Sequence, residues 1–369
     1  MRKHNPFIPE KIFISKSSYK DDIVKNTLKR FGKSEIIILK DKEKPDYSMY
    51  KPVEKGKKWL FFTKNTGTIL KPCPCTPTCI SCRYFVLNPI LNCNFDCAYC
   101  FLQLYLNNPV ITVHTNFTDF DRELSSLKSS YPGKFLRIGS GQWSDSLSMD
   151  DFLDISPKLI NKFKNLPGTI LELKTKSSMV DSILECQKPY KNIIISFSVN
   201  PDTIIKEQEY KTAGLLERID AAKRCQERGY LIGLHFDPII HYPGWEEDYY
   251  NLIKYIFSHL EKKRIMWISL GSLRFAQKLK PVIQSRFPKN PLLTGELIPG
   301  KDKKLRYFKK IRISLYRFIL NQIMRYDKDA FVYLCMETKE VWEKVFGFSL
   351  KNDEELIFRF DLQIDKRIM

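Results

Sequence analysis

The sequence lacks long hydrophobic runs and the common catalytic motifs. No apolar stretch reaches the roughly 18 residues that a helix needs to cross a bilayer. The opening residues, MRKHNPFIPEK, carry positive charge with no apolar stretch behind them, which argues against a secretory signal. Walker loops, nucleophile elbows and zinc-protease motifs are also missing. We therefore expect a soluble, cytoplasmic protein with no membrane partner.

Acidic residues are outnumbered by basic ones. The chain has 42 Asp and Glu against 61 Lys and Arg, a formal net charge of +19. An excess of this size favours an anionic partner, most commonly nucleic acid, although a solvated basic surface is the simpler alternative. The segment KDKKLRYFKK (301–310) interleaves cations with Tyr307 and Phe308. It could follow phosphates and stack bases, or it could be the solvated start of a helix.

Strand-like apolar runs alternate with helical patterns through the middle of the chain. There are six such runs, at 83–89, 134–140, 168–175, 193–200, 230–236 and 264–271. Alternating strands and helices indicate parallel strands joined by helical crossovers. Both an open doubly wound sheet and a partial barrel fit this pattern. In either architecture, ligands meet the carboxyl ends of the strands.

Three domains are expected along the chain. We assign an N-terminal α/β extension and linker to residues 1–70, a partial barrel to 71–290 and a basic α+β segment to 291–369. The extension contains a strand, a helix and a second strand. In the last segment we expect a strand at 330–338, a helix that ends at Gly347, and a final strand in EELIFRFDLQ (354–363).

Seven of the ten cysteines lie between positions 73 and 100. In a reducing compartment, such clustering indicates a metal and not disulfides. Three of them, Cys93, Cys97 and Cys100, share one loop that follows the first predicted barrel strand. Three thiolates can hold a cubane iron–sulfur cluster and leave one iron open. A closed zinc site needs four ligands, and this loop contains no histidine.

A second cysteine group, CPCTPTCISC, lies just before that strand. It contributes Cys73, Cys75, Cys79 and Cys82. Four thiols within ten residues could hold zinc or a second iron–sulfur cluster, with free thiols or partial redox pairing as the alternative. Pro74 and Pro77 within this stretch, and Pro72 just before it, lower the entropy lost when the loop is ordered.

The spacing Cys93-x3-Cys97-x2-Cys100, with Tyr99 before the last cysteine, resembles the signature of radical S-adenosylmethionine (SAM) enzymes. The resemblance narrows to the spore photoproduct lyase family on several stretches that occur in the same order over roughly residues 70–290. These are CAYCFLQLYLNNPVITVHTN, SGQWSDSL, TKSSMV, SFSVN, RIDAAKRCQERGYLIGLHFDPIIHYPGWEEDY and SLRFAQKLKPVIQSRFP.

The resemblance implies a partial (β/α)6 TIM-type barrel and a lyase-type enzyme of DNA repair. Cys93, Cys97 and Cys100 would bind a [4Fe-4S] cluster whose open iron is chelated by SAM. Reductive cleavage of SAM would then yield a 5′-deoxyadenosyl radical, which abstracts hydrogen from a nucleic-acid substrate such as a damaged thymine pair. An electron donor such as flavodoxin or ferredoxin is implied as well.

The resemblance also assigns roles to individual side chains around SAM. Tyr99 would lie against the adenine. Ser144 and Asp145 would bond the amino or ribose groups. Lys176 and Ser198 would hold the carboxylate, with ordinary loop surface as the plain alternative for this last pair.

Two positions depart from the family pattern. Gln142 stands where the family carries its hydrogen-donating cysteine, and Phe101 replaces a tyrosine. Gln142 can bond the SAM amino group, but its N–H bonds are poor hydrogen-atom sources. We therefore expect Tyr99 and Gln142 at the catalytic position, with a different termination step or a different substrate. A radical SAM enzyme acting on a peptide or small molecule is one alternative. The second alternative is a non-catalytic nucleic-acid-binding protein whose cysteines bind metal in a purely structural role.

Overall fold

The computed structural model describes residues 7–46, 53–186, 188–288, 290–293, 295–300 and 302–368. The strands are β1 (Lys11–Ser15), β2 (Glu35–Leu39), β3 (Trp59–Thr63), β4 (Leu70–Pro72), β5 (Tyr84–Leu87), β6 (Ile90–Leu91), β7 (Asp96–Cys97), β8 (Ile111–His114), β9 (Leu136–Ser140), β10 (Thr169–Thr175), β11 (Ile193–Ser198), β12 (Glu209–Tyr210), β13 (Leu231–Ile239), β14 (Ile265–Ser272), β15 (Arg274–Ala276), β16 (Leu297–Pro299), β17 (Lys304–Tyr307) and β18 (Val332–Leu334). The helices are α1 (Asp22–Arg30), α2 (Val53–Gly56), α3 (Leu102–Tyr105), α4 (Asp121–Ser130), α5 (Asp150–Leu153), α6 (Ile155–Phe163), α7 (Asp181–Leu184), α8 (Asp202–Gln208), α9 (Leu215–Arg228), α10 (Trp245–His259), α11 (Leu279–Arg286), α12 (Lys309–Tyr326), α13 (Lys339–Phe346) and α14 (Asp353–Ile368).

The main sheet is a curled half-barrel of eight strands in the order β18-β14-β13-β11-β10-β9-β5-β4. Neighbours from β5 to β18 pair in parallel, and β4 is antiparallel to β5. The six predicted strand runs are β5, β9, β10, β11, β13 and β14, so the partial-barrel fold is confirmed. A seventh parallel strand, β18, comes from the predicted strand at 330–338.

Side chains alternate between two faces of the half-barrel. In β10, Leu171 and Leu173 are fully buried in the hydrophobic core. Glu172 lies between them on the opposite face, where it hydrogen-bonds His235 of β13 and Ser196 of β11. Because successive side chains of a strand point to opposite faces, the barrel interior is polar while its outer face packs on the helices.

A second, five-stranded sheet has the order β2-β1-β3-β8-β6. The predicted strand–helix–strand start is confirmed as β1, α1 and β2, whereas β3 was not predicted. Strands β6 and β8 come from beyond residue 70, so this sheet combines the extension with segments that flank the cysteine loop. The domain boundaries remain a prediction. Residues 47–52, within the range predicted as extension and linker, lie outside the described residues.

The predicted final strand at 354–363 is wrong, because this segment lies in helix α14. Leu356, Phe360 and Ile364 are buried at a spacing of four residues, which is the repeat of one helix face. The helical pattern between β9 and β10 forms two helices, α5 and α6, separated at Asp154 with φ 50°. Pro157 explains the break, since its ring would clash with the carbonyl four residues earlier.

The basic segment at 301–310 is partly strand. Its residues 304–307 form β17, which pairs antiparallel with β15 and β16 in a three-stranded sheet. We refer to residues 297–307 as the β16–β17 hairpin. Helix α12 begins only after it, at Lys309. Among the described residues, no helix is both long and apolar enough to cross a membrane.

Candidate functional site

Residues 92–101, here named the cluster loop, follow β5 and β6 at the carboxyl end of the parallel strands. The loop lies on the turn after β9, where the Asn92 N–H donates to the Trp143 carbonyl at 2.8 Å and the Asn94 amide donates to the Ser148 carbonyl at 3.2 Å. Its middle pairs through β7 with β12. The loop that carries Cys93, Cys97 and Cys100 is therefore fixed on two sides.

A buried carboxylate ties the cluster loop to distant parts of the chain. Asp96 Oδ1 lies 2.8 Å from Arg286 Nη2 and 3.3 Å from Lys57 Nζ. Burial would raise the pKa of Asp96, but Lys57 and then Arg286 outweigh it and hold the pKa below its ordinary value. Gln103 adds a second brace, since its amide donates to the carbonyls of Ala98 at 2.9 Å and Cys100 at 3.2 Å.

The three thiols of the cluster loop lie within electrostatic reach of one another. Burial first, and then Asp145, raises the pKa of Cys93 to about 12, and the neighbouring Cys100 adds to this rise. Burial also raises the pKa of Cys97, and Lys176 opposes the rise. Without a metal, Cys93 and Cys97 are therefore neutral thiols, whereas iron would deprotonate them. In the part of the chain that the structure describes, no three Cys, His, Asp or Glu side chains converge closely enough for a single metal ion. A cubane instead gives each thiolate its own iron.

Tyr99 is anchored by a buried ion pair. Its hydroxyl donates to Glu209 Oε1, which also accepts from the Asn200 amide at 2.9 Å. Arg218 Nη2 lies 2.6 Å from Glu209 Oε2, with both side chains fully buried. Burial would raise the pKa of Glu209, yet Arg218 and then Lys176 lower it to about 2. The pair of Glu209 and Arg218 thus fixes the Tyr99 ring to β12 and α9.

Asp145 fastens the turn after β9 to the end of β10. Its Oδ1 accepts hydrogen bonds from the backbone of Leu147 and Ser148, each at 2.9 Å, and from Thr175 Oγ1 at 2.7 Å. Its Oδ2 accepts from the Lys176 N–H at 2.7 Å. Both oxygens are therefore occupied within the chain, which makes Asp145 the residue that shapes this turn.

The same turn leaves one buried hydroxyl without a partner. Ser144 Oγ is enclosed and forms no hydrogen bond with the described residues. Gln142, half-buried two positions earlier, has no side-chain hydrogen bond to them either. Gly141 permits this turn with φ 95°, and a Cβ there would lie 2.7 Å from the Lys174 carbonyl. Ser144 and Gln142 thus remain available to a ligand.

Lys176 directly follows β10, and Ser198 is the last residue of β11. Lys176 Nζ is 5.8 Å from the centre of the Tyr99 ring, and within the described chain it has no carboxylate at ion-pair distance. Ser198 ends β11, and its carbonyl accepts from Arg218 Nη1 at 3.0 Å. The structure therefore brings Tyr99, Ser144, Lys176 and Ser198 to the carboxyl ends of adjacent strands.

A family model for spore photoproduct lyase matches residues 77–324. The chain belongs to the spore photoproduct lyase family. Among curated relatives, it is 28% identical over 240 residues to the spore photoproduct lyase of Bacillus subtilis, covering 64% of this chain and 66% of that protein. It is 28% identical over 241 residues to the enzyme of a Geobacillus strain, covering 64% of this chain and 67% of that protein. The chain thus spans about two thirds of the length of these relatives.

Solved structures of spore photoproduct lyase share the fold of this family member. One, an alanine mutant with dinucleoside spore photoproduct, has a TM-score of 0.79 at 21% identity. It covers 90% of this chain and 100% of the solved chain. Another, a double mutant with bound AdoMet and dinucleoside spore photoproduct, has a TM-score of 0.78 at 22% identity, with the same coverage.

Two clusters of this spore photoproduct lyase relative were not predicted from sequence. In the barrel interior, Glu172 Oε1 lies 2.8 Å from both His235 Nε2 and Trp267 Nε1. Burial would raise the pKa of Glu172, but His235 outweighs it and lowers the pKa well below its ordinary value. The second cluster is the pair of Arg274 and Asp237, 3.0 Å apart. Each pair joins residues at least 37 positions apart, so local patterns do not reveal them.

Proposed function

We propose that the chain is a radical SAM enzyme that holds a [4Fe-4S] cluster on Cys93, Cys97 and Cys100, with SAM beside it. When bound, the cluster and SAM supply the reductive cleavage that generates a 5′-deoxyadenosyl radical. The chain's own residues hold and orient the ligands. The observation that carries the proposal is the unpartnered Ser144 hydroxyl beside the cluster loop, because a buried polar atom normally has a partner.

The surrounding side chains suit the individual groups of SAM. Lys176 offers an ammonium for a carboxylate, and Ser198 offers a short hydroxyl at a rigid strand end. The Tyr99 ring provides a flat surface for the adenine, held in place by Glu209. We assign the Gln142 amide to the SAM amino group, where its oxygen can accept a hydrogen bond.

We propose a damaged thymine in nucleic acid as the substrate, with flavodoxin or ferredoxin as the electron donor in the cytoplasm. The curated relatives are spore photoproduct lyases, and solved relatives hold a dinucleoside spore photoproduct. The net charge of +19 and the basic β16–β17 hairpin favour an anionic substrate. Gln142 in place of the donor cysteine means that another group returns the hydrogen atom, or that the lesion differs.

The test is turnover of DNA that carries the thymine spore photoproduct. The anaerobically reconstituted, reduced protein is incubated with SAM and this DNA, and restored thymine and 5′-deoxyadenosine are measured. We expect both products, and a Cys97→Ala variant should form neither. If SAM is cleaved but no thymine is restored, the substrate proposal fails, and the result supports the alternative of a peptide or small-molecule substrate. If a well-assembled cluster does not cleave SAM, the radical SAM proposal fails.

We also propose a metal role for Cys73, Cys75, Cys79 and Cys82, with either zinc or a second iron–sulfur cluster as the occupant. We further propose that residues 71–290 form the catalytic domain, flanked by the extension at 1–70 and the basic segment at 291–369. The half-barrel strands β5 to β14 all lie within the central range, which supports this division.

A further inference from the structure

Strand β2 forms one edge of the five-stranded sheet. Among the described residues it pairs only with β1, and the register of that pair is unbroken. Proteins usually protect an edge strand with a proline, a bulge, a free charge or a covering segment. The sequence of β2, EIIIL, contains no proline, and its only charged side chain, Glu35, lies 2.8 Å from Lys11 Nζ. The outward backbone groups of β2 are therefore available to another strand.

Two large apolar side chains of β2 are exposed to solvent. Ile36 and Ile38 are 41% and 50% exposed. Their partners in the neighbouring strand, Ile12 and Ile14 of β1, are fully buried in the hydrophobic core. Adjacent strands are only about 4.8 Å apart, so the cover over this apolar row ends within one strand spacing. An apolar row that continues onto an open edge strand is typical of an interaction surface.

We infer that two copies of the chain associate through β2, with the two strands antiparallel about a two-fold axis at Ile37. The pairing joins two five-stranded sheets into one continuous sheet. Identical antiparallel strands in one sheet are related by a two-fold axis perpendicular to that sheet, so each face stays on its own side. Because side chains directly opposite each other share a face, the axis must lie at a residue and not between two residues. The inference does not depend on the proposed function.

The sequence around β2 is complementary to itself when Ile37 is the centre. In that register Ile36 lies opposite Ile38 of the second copy, which brings the exposed isoleucines of both copies into one row. Just beyond the strand ends, Lys33 comes opposite Asp41 of the second copy. Both of these side chains are exposed. Apolar pairs and opposite-charge pairs across two strands each stabilise the pairing.

The two neighbouring registers are less favourable. A centre at Ile38 would place Glu35 opposite Asp41, and like charges directly opposite each other destabilise a strand pair. A centre at Ile36 would place the Ser34 hydroxyl opposite Ile38, so the exposed isoleucines would no longer face each other. The register centred on Ile37 thus combines apolar contact in the middle with an opposite-charge pair at each end.

The association is expected to be weak. A strand of five residues is only about 17 Å long, which is short for an interface that would bury the usual 800 Å² or so per partner. Two chains that each carry a net charge of +19 also repel each other. We therefore expect a dissociation constant in the micromolar range, measured in about 0.3 M KCl to screen this repulsion.

Sedimentation equilibrium of the full chain in that buffer, at roughly 1–200 µM protein, tests the inference. We expect the wild-type mass to rise towards that of a dimer. Ile38→Lys introduces a charge into the apolar row and should weaken association at least about tenfold. Lys33→Asp should weaken it about fivefold, because two like-charge pairs replace two opposite-charge pairs. Adding Asp41→Lys to Lys33→Asp reverses each pair and should restore the association.

Leu216→Lys is the matched control. Leu216 is 57% exposed on α9, a helix that packs on the half-barrel, so this change should leave the association unaltered. A chain that stays monomeric up to about 200 µM overturns the inference, and slow hydrogen exchange of the Ile36 and Ile38 amides in that monomer would mean that another segment covers the edge. A dimer that Ile38→Lys does not weaken also overturns it. If Ile38→Lys does not fold, the charge exchange decides, and a dimer unaffected by Lys33→Asp overturns the inference.

Discussion

Removal of the Arg218 charge is expected to destabilise the fold strongly. Arg218 and Glu209 are both fully buried and 2.6 Å apart, and Arg218 also donates to the carbonyls of Ala213 at 2.9 Å and Ser198 at 3.0 Å. Arg218→Met keeps much of the side-chain volume but leaves the Glu209 carboxylate buried without its cation. Breaking such a pair by removal of one partner typically costs about 3–5 kcal/mol.

The pKa of Glu209 gives an independent magnitude. It is about 2 in the folded protein against an ordinary 4.5, and this difference corresponds to about 3 kcal/mol of stability at neutral pH. Because the folded-state pKa is lowered, this contribution is present above pH 4.5 and is lost as the pH falls towards 2. In Arg218→Met, burial would instead raise the pKa of Glu209. The variant should therefore lose stability as the pH rises from 4 to 7, opposite to the contribution of this pair in the wild type.

The assay is urea unfolding followed by far-ultraviolet circular dichroism at pH 5 and pH 7.5. Adding Glu209→Gln to Arg218→Met should recover most of the loss, because no buried charge then remains. As a matched control, Lys206→Met removes an exposed partner of Asp202 and should change the free energy of unfolding by less than about 1 kcal/mol. A loss below about 1 kcal/mol for Arg218→Met, or no recovery in the double variant, would refute the reasoning.

Three further predictions concern the site and its supports. Ser144→Ala should weaken SAM binding about tenfold, as expected for one lost hydrogen bond, with no loss of stability; unchanged affinity in equilibrium dialysis would contradict the assigned role. Gly139→Ala places a Cβ 1.6 Å from the Tyr84 hydroxyl and should lower the free energy of unfolding in urea by about 1–3 kcal/mol. Adding Tyr84→Phe should recover part of this loss, and an equal loss in the single and the double variant would contradict the steric explanation. Asp96→Asn leaves Lys57 and Arg286 without their carboxylate, so the reconstituted chain should lose iron faster on gel filtration; iron retention equal to wild type would count against the brace.

The barrel strands could be predicted from sequence because their signal is local. Runs such as Ile193–Ser198 combine β-branched residues with burial, and the helices between them end at recognisable positions such as Gly229, with φ 113°. The cluster loop was recognisable for the same reason, since its cysteines and Tyr99 lie within eight residues.

Helix α14 was mispredicted because its sequence fits both the two-residue repeat of a strand and the 3.6-residue repeat of a helix. Leu356, Phe358, Phe360 and Leu362 alternate with other residues as a strand would require. In the structure, Phe358 and Leu362 are 54% and 52% exposed, while Leu356 and Phe360 are buried. Only the tertiary contacts decide between the two readings of such a short apolar segment.

The supports of the site could not be predicted, since each joins residues far apart in the chain. Tyr99 and Glu209 are separated by 110 residues, and Glu172 and His235 by 63. Which acidic residue meets which base depends on how the strands are ordered in the half-barrel, and no local pattern encodes that order.

The contact between Asp96 and Arg286 also sets the time at which the cluster loop is completed during synthesis. The two residues are 190 positions apart, and a ribosome adds about 5–20 residues per second. The three thiols of the loop are therefore made roughly ten seconds or more before the arginine that braces them exists. A cluster bound to these thiols, as proposed, would gain the brace of Arg286 only after this interval.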